Sequence, residues 1–294
     1  MKTLHKITLF LLVSSTVIGL FVWFAHAGTF DVLQAKGLVA QEESSLIFYV
    51  VTLLLIVAIP VFGLAIFFAW HYRARNTKAV YMPNWEHSNI DELVWWAIPI
   101  EIILVLGALT WISTHELDPH RSLAIKGTPL QVQVVALNWK WLFIYPEYGI
   151  GSVNLLEFPV GTQVNFSITS DAPMNSFWIP QLGGQIYAMT GMVTSLHLVA
   201  DTVGSYNGVS ANYSGDGFAK MKFTAKAVSQ SDFDAWVQEV RQSPYLLNTD
   251  TYPPLAAPAV ANVIYYGSVD KDMFNSIVTK FVPLGSMQQM NTHQ

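Results

Sequence analysis

Proton carriers and metal ligands are sparse in this chain, and their placement narrows the chemistry open to it. There is no cysteine among its 294 residues, which excludes a disulfide, a thiolate metal site and a cysteine-linked lipid. Of the eight histidines, His71, His87, His115 and His120 flank apolar segments, His5 and His26 belong to the N-terminal leader, and His293 ends a polar tail. His197 alternates with Leu196 and Leu198, so it is expected on the outer face of a strand rather than as a ligand. Two carboxylates stand at one apolar stretch, Glu92 a residue before it and Glu101 inside it. A charge deep in hydrocarbon costs at least ~2.5 kcal/mol unless paired or protonated. Glu101 is therefore expected to be neutral or paired, buried between subunits. At about 100° per residue the two carboxylates lie on opposite faces of an unkinked helix, a relation that Pro99 weakens. Trp139 and Trp141 alternate about Lys140, which predicts both indoles on one face of a strand.

The elements that must position these groups begin with three apolar segments. The chain is 52% hydrophobic and 12% charged, about half the charged fraction of an ordinary soluble domain. Its net charge of -5 and lack of any Lys- or Arg-rich stripe exclude a phosphate-neutralising surface, and with it a nucleic-acid partner. Ile7 to Phe24 follows Lys2 and Lys6 and ends in Ala25-His26-Ala27. It reads either as an export signal cleaved after Ala27 or as a retained helix. Leu46 to Trp70 carries no charge and Leu93 to Ile112 carries only Glu101, and each is long enough to span a bilayer. Pro60 and Gly63 are tolerated there because neighbouring helices can satisfy the backbone groups they free. Arg73, Arg75 and Lys78 place the connection between the two spans in the cytoplasm, so everything after Ile112 is exported. Trp70, Tyr72, Trp95, Trp96 and Trp111 fall near the expected membrane edges.

From Leu130 the period changes to two. Leu130, Val132 and Val134; Val164, Phe166 and Ile168; Leu196 and Leu198; and Met221, Phe223 and Ala225 mark half-buried strands. Turn clusters at Phe158 to Gly161, Gly183-Gly184 and Ser214 to Gly217 separate them, as in an all-β sandwich. Past Val228 the strand pattern ends. Ser231 to Asp234 predicts a capping box opening a helix through Arg241, and a second helix is expected from about Asp270 to Phe281, after the Pro-rich stretch Tyr252 to Pro258. This tail reads as an accessory arm on the sandwich or on a partner.

Three strings then carry a resemblance: Asn138-Trp-Lys-Trp141, Met174-Asn-Ser-Phe-Trp-Ile-Pro180 and Gly208-Val-Ser-Ala-Asn-Tyr-Ser-Gly215. In this order after a two-helix anchor, they resemble subunit II of haem-copper oxidases, and within that family subunit II of the bo-type ubiquinol oxidases. The likeness runs from about Lys36 to about Phe281. It implies a membrane-anchored all-β protein: a transmembrane helical hairpin, a cupredoxin-like β-sandwich and a short helical arm. The implied domains are a leader at 1–27, an exported segment at 28–44 and spans at 45–70 and 92–113 joined by a cytoplasmic loop at 71–91. A periplasmic cupredoxin-like domain at 114–228 and a helical, aromatic-containing arm at 229–294 follow.

In copper-bearing relatives two bridging thiolates, two imidazoles, a thioether and a backbone carbonyl hold a copper pair, a soft and borderline donor set suited to that metal. On this chain the resemblance puts the thiolate positions at Ser210 and Ser214, the carbonyl at Asn212, the imidazole positions at Asn175 and Phe218, and the thioether at Met221. Only Met221 retains its donor, so no metal is expected here. Loss of the copper pair fits a quinol donor, which delivers electrons directly to haem in the large subunit. The resemblance therefore implies that haems, copper and the quinol site lie on a haem-bearing subunit I. Smaller membrane subunits and the bilayer are further partners, cytochrome c is not, and the setting is a bacterial inner membrane. It also implies a proton-entry role for Glu92, next to His87-Ser-Asn89 and Trp96. For Trp139 and Trp141 it implies packing in the core or against a subunit. Two rivals remain, a copper-bearing cytochrome c oxidase subunit II, and a membrane-tethered β-sandwich that binds a periplasmic ligand without any oxidase.

Overall fold

The computed structural model describes residues 30–281 except 81, 83–85, 124 and 126, together with 12, 15, 16, 19 and 23. The leader expected at 1–27 falls almost entirely outside the described residues, its cleavage point after Ala27 included. The chain divides into two compact units, 1–30 with 44–117 and 31–43 with 118–294.

Two long helices dominate the first unit. Helix α1 covers Leu38–His71 and α2 covers Asn89–Glu116, each exceeding the ~20 residues that cross a bilayer. Their apolar side chains face outward, among them Ile56, Phe62 and Ile66 on α1 and Trp95, Ile103 and Leu104 on α2. A helix that is apolar all round and leaves its surface uncovered is suited to lipid. Ser88 caps α2 by accepting from the Asp91 amide at 3.4 Å, with Asp91 and Glu92 in the first turn where the helix dipole favours negative charge. The Arg73 guanidinium lies 5.1 Å over the Trp70 ring at the end of α1. Both helices extend beyond the expected spans. The first residues of helix α1, up to Glu43, belong to the second unit: Val39 and Ala40 are buried within it, and Ala40 N donates to Leu182 O at 3.2 Å.

The second unit is a β-sandwich. Its first ten strands are β1 Leu130–Leu137, β2 Lys140–Tyr145, β3 Ile150–Val153, β4 Leu155–Pro159, β5 Val164–Ser170, β6 Asn175–Ile179, β7 Gly183–Ala188, β8 Thr194–Leu198, β9 Gly204–Ser210 and β10 Lys222–Val228. The C-terminal arm adds α3 Gln230–Arg241, β11 Leu246–Leu247, α4 Tyr252–Ala256, β12 Ile264–Tyr266, β13 Ser268–Val269 and α5 Met273–Thr279. One sheet runs β12-β3-β2-β1-β5-β8 and the other β4-β10-β9-β6-β7, with β11 and β13 as a separate pair. Pairs β1/β5 and β10/β4 are parallel, as sandwich crossovers require, and the remaining pairs of the two large sheets are antiparallel.

Between the sheets lies an aromatic core. Phe177 and Phe223 stack at 5.1 Å, and Trp141, Phe143 and Phe166 meet Phe177 edge-on or tilted at 5.3 to 6.3 Å. All of the period-two positions read from the sequence as inward are buried. Two expectations need correction. Strands do not stop at Val228, because β12 joins the six-stranded sheet beside β3, its Tyr265 opposite Ser152. Three residues are too short a run for a period to show. The cap of α3 is Ser229 rather than Ser231: Ser229 Oγ accepts from Asp232 N at 3.2 Å. Two overlapping Ser-x-x-Asp strings compete here, and the earlier one fixes the helix that buries Phe233, Trp236, Val237 and Val240.

Candidate functional site

The loop from Ser210 to Met221, between β9 and β10, gathers the six positions that the resemblance singled out, and side-chain hydrogen bonds fasten it. Ser210 Oγ donates to Asn175 Oδ1 at 2.9 Å and lies 3.3 Å from Asn212 O. Asn175 Nδ2 donates to Pro173 O at 2.6 Å, and Asn212 Nδ2 to Met174 O at 2.8 Å. The Ser214 hydroxyl sits 4.0 Å from Met221 Sδ, and the Phe218 ring meets Tyr213 edge-on at 5.6 Å. Asn175, Ser210 and Met221 are buried, whereas Tyr213 is 73% exposed. Thus strand β6 brings one edge of the cluster, the end of β9 another, and a 3-10 turn at Phe218–Lys220 returns the chain to β10.

This donor set does not fit a copper pair. Neutral hydroxyl and amide oxygens are hard donors, a serine alkoxide is inaccessible near neutral pH, and Phe218 offers no lone pair. The hydroxyl and amide groups satisfy each other and the backbone instead, which is what a buried polar cluster requires. Among the described residues, no three His, Asp or Glu side chains gather as a metal site.

Trp139 packs on this loop from the β1–β2 turn, and here the strand expectation is overturned. The β1–β2 hairpin turns at Asn138-Trp139, so Leu137 pairs with Lys140 and Trp139 takes a left-handed backbone, φ 66°. A bulky residue adopts that conformation only when its surroundings hold it. The indole N–H donates to Ser214 O at 3.1 Å, and the ring lies on Gly217, where any Cβ would collide with it. Trp141 by contrast is fully buried in the aromatic core. The alternation Trp-Lys-Trp mimics period two across a reversal of the chain. Between them Lys140 is buried, its ammonium donating to Ala257 O at 2.7 Å and Ala259 O at 3.0 Å, and burial pushes it below its ordinary value.

The remaining candidates are distributed elsewhere. Glu92 and Glu101 are both exposed on α2, and His87 Nδ1 lies 3.3 Å from Glu92 Oε1. His197 is half-buried on β8, its Nδ1 2.8 Å from Asn165 Oδ1, and desolvation holds its imidazole below the usual range. Sequence reasoning missed Asp171, a carboxylate 2% exposed in the β5–β6 connection. Its partners Tyr252 and Lys280 lie 81 and 109 positions further on, so no local pattern could have marked it.

Comparison with known proteins follows the same lines. Residues 241–285 match the family model of the COX aromatic rich motif. The cytochrome bo(3) ubiquinol oxidase subunit 2 of Pseudomonas putida is 54% identical over 85% of this chain and 80% of its own length. The protein of the same name in Pseudomonas aeruginosa is 52% identical, covering 84% of this chain and 75% of that one. Ubiquinol oxidase subunit 2 of Acetobacter aceti is 51% identical over 85% of this chain and 82% of its own. With two lipid-suited helices, a β-sandwich, a C-terminal arm that matches the aromatic-rich family model and relatives of this identity and coverage, the chain belongs to the family of cytochrome bo(3) ubiquinol oxidase subunit 2.

Proposed function

We propose that this chain is the membrane-anchored subunit II of a terminal quinol oxidase, which couples quinol oxidation to reduction of oxygen to water and pumps protons. Electrons pass from quinol in the membrane to haem on subunit I, and the haems, the copper and the quinol site belong to that partner. This chain has a structural role and a share in proton entry. The observation that carries the reading is the loop at 210–221, where by resemblance serine, asparagine and phenylalanine stand at the thiolate and imidazole positions; Ser210 and Asn175 are held by a mutual hydrogen bond and Phe218 by an edge-on contact with Tyr213.

Around that core we assign the finer features. The basic connection with Arg73, Arg75 and Lys78 faces the cytoplasm and the sandwich faces the periplasm, following the positive-inside bias. The leader at 1–27 serves export, α1 and α2 contain the two spans, and the residues from 114 on form the exported domain with its arm. Glu92, at the cytoplasmic start of α2 with His87 beside it, receives protons bound for the partner. Glu101 lies nine residues further along the same helix, where cost alone requires a partner group or a proton. Trp139 braces the 210–221 loop, and Trp141 serves the core.

The test is purification of the affinity-tagged chain in mild detergent. A haem spectrum co-eluting with it, together with quinol:oxygen turnover, is expected. A preparation free of haem would reject the oxidase assignment in favour of a free-standing binding module.

A further inference from the structure

The Asp171 side chain is buried among groups that none of the roles above uses. Its Oδ1 accepts from Lys280 Nζ at 2.8 Å, and its Oδ2 accepts from the same ammonium at 3.0 Å and from Tyr252 Oη at 2.8 Å. Tyr252 opens α4 and Lys280 is the C-cap of α5, so both donors come from the C-terminal arm. The carboxylate comes from the sandwich. A carboxylate removed from water needs partners of this kind, and losing one leaves it uncompensated.

What Asp171 is attached to gives the contact its meaning. Its amide donates to Ala136 O at 2.9 Å, and Ser170 Oγ accepts from Ala172 N at 3.1 Å, which makes the connection into β6 rigid. Of the next carbonyls in line, Pro173 O takes Asn175 Nδ2 of β6, and Met174 O takes Asn212 Nδ2 of the 210–221 loop. Asn175 Oδ1 then takes Ser210 Oγ. An unbroken path of hydrogen bonds and four peptide units therefore joins the arm to the face that carries exposed Met174 and Tyr213.

We propose that Asp171 is a positioning residue. By gripping Lys280 and Tyr252 it makes the C-terminal arm a brace for the 171–175 connection, and through that connection it sets the shape of the 210–214 face. The arm thereby does for this loop what internal cross-links do elsewhere, fixing both ends of a segment whose side chains alone are short. Any consequence for turnover rests on the oxidase reading; the brace itself does not.

The experiment is hydrogen exchange with peptide resolution on the full-length chain in detergent, comparing wild type with Lys280→Met, Tyr252→Phe and the conservative Lys280→Arg. Exchange at 171–177 and 211–218 is expected to rise about tenfold or more in Lys280→Met, the loss of a charge-assisted bond to a buried group. Tyr252→Phe is expected to give a smaller rise in the same peptides, and Lys280→Arg to restore wild-type rates. Peptides of β4 and α3 are expected to stay unchanged in every variant. A rise confined to α4 and α5 would overturn the proposal, since the arm would then be a passenger. A uniform rise that includes β4 and α3 would also overturn it, because the contact would then be only a general stabiliser. Neither result depends on haem co-elution, so failure here is separable from failure of the functional reading.

Discussion

A single glycine decides whether the indole of Trp139 can lie on the 210–221 loop. Adding a Cβ at Gly217 drives it into the ring, so Gly217→Ala must displace either the indole or the loop. Overpacking of this kind costs about 1–3 kcal/mol. A matching fall in unfolding free energy and a red-shifted tryptophan emission are expected, and an unchanged spectrum would show that the loop yields instead. Glu157 tests a different force. It is buried on β4 beside Lys226 of β10, and desolvation raises its carboxyl above the usual value, with Lys226 opposing the shift. A raised carboxyl favours the folded state only while protonated, and its contribution is lost as pH rises from the ordinary carboxylate value through the raised one. Glu157→Gln should therefore unfold at higher temperature than wild type at about pH 8, with the difference vanishing near about pH 4.

At the scale of elements, the C-terminal arm explains a feature of β2 that alternation alone does not. All six residues Lys140–Tyr145 are buried. Trp141, Phe143 and Tyr145 are turned to other partners, while Leu142 and Ile144 join Leu247, Leu255, Met273, Phe274 and Ile277 in a second apolar cluster under the arm. Lys140 and Asn154 pin the intervening strap, Asn154 Nδ2 donating to Ala261 O at 2.7 Å. Phe274→Ala is expected to cost about 3–5 kcal/mol, measurable by denaturant unfolding of the full chain. A cost below about 1 kcal/mol would mean the arm lies loosely on the sheet. The sandwich strands were legible because each buries one face at period two, as Val164, Phe166 and Ile168 do. The arm was legible as two helices but not as a sheet partner, because β12 takes its place through backbone pairing with β3, which leaves no side-chain period. Trp139 misled for the same reason: a two-residue turn lets alternation run on through a reversal. The 210–221 cluster was legible through resemblance, while the bonds that tie it to β6, Ser210 to Asn175 and Asn212 to Met174, join residues more than thirty positions apart and needed coordinates.

On the scale of the whole molecule, the chain combines two helices suited to lipid with a sandwich whose 210–221 loop is closed by its own side chains. The proposed orientation predicts that a reporter fused in the 71–91 loop is active on the cytoplasmic side, and one fused after Thr279 on the opposite side; the reverse pattern would invert the proton-entry assignment of Glu92. Within an assembled oxidase, Glu92→Gln is expected to slow quinol turnover by about 100-fold or more, the lower end of the range for a lost proton-transfer group. Unchanged turnover would leave Glu92 as a solvated interfacial charge. The most direct test of the account compares oxygen consumption by the purified complex when it is given reduced quinol and when it is given reduced cytochrome c. Rapid consumption with quinol and none above background with cytochrome c is predicted, whereas efficient oxidation of cytochrome c would contradict the claim that electrons bypass this chain.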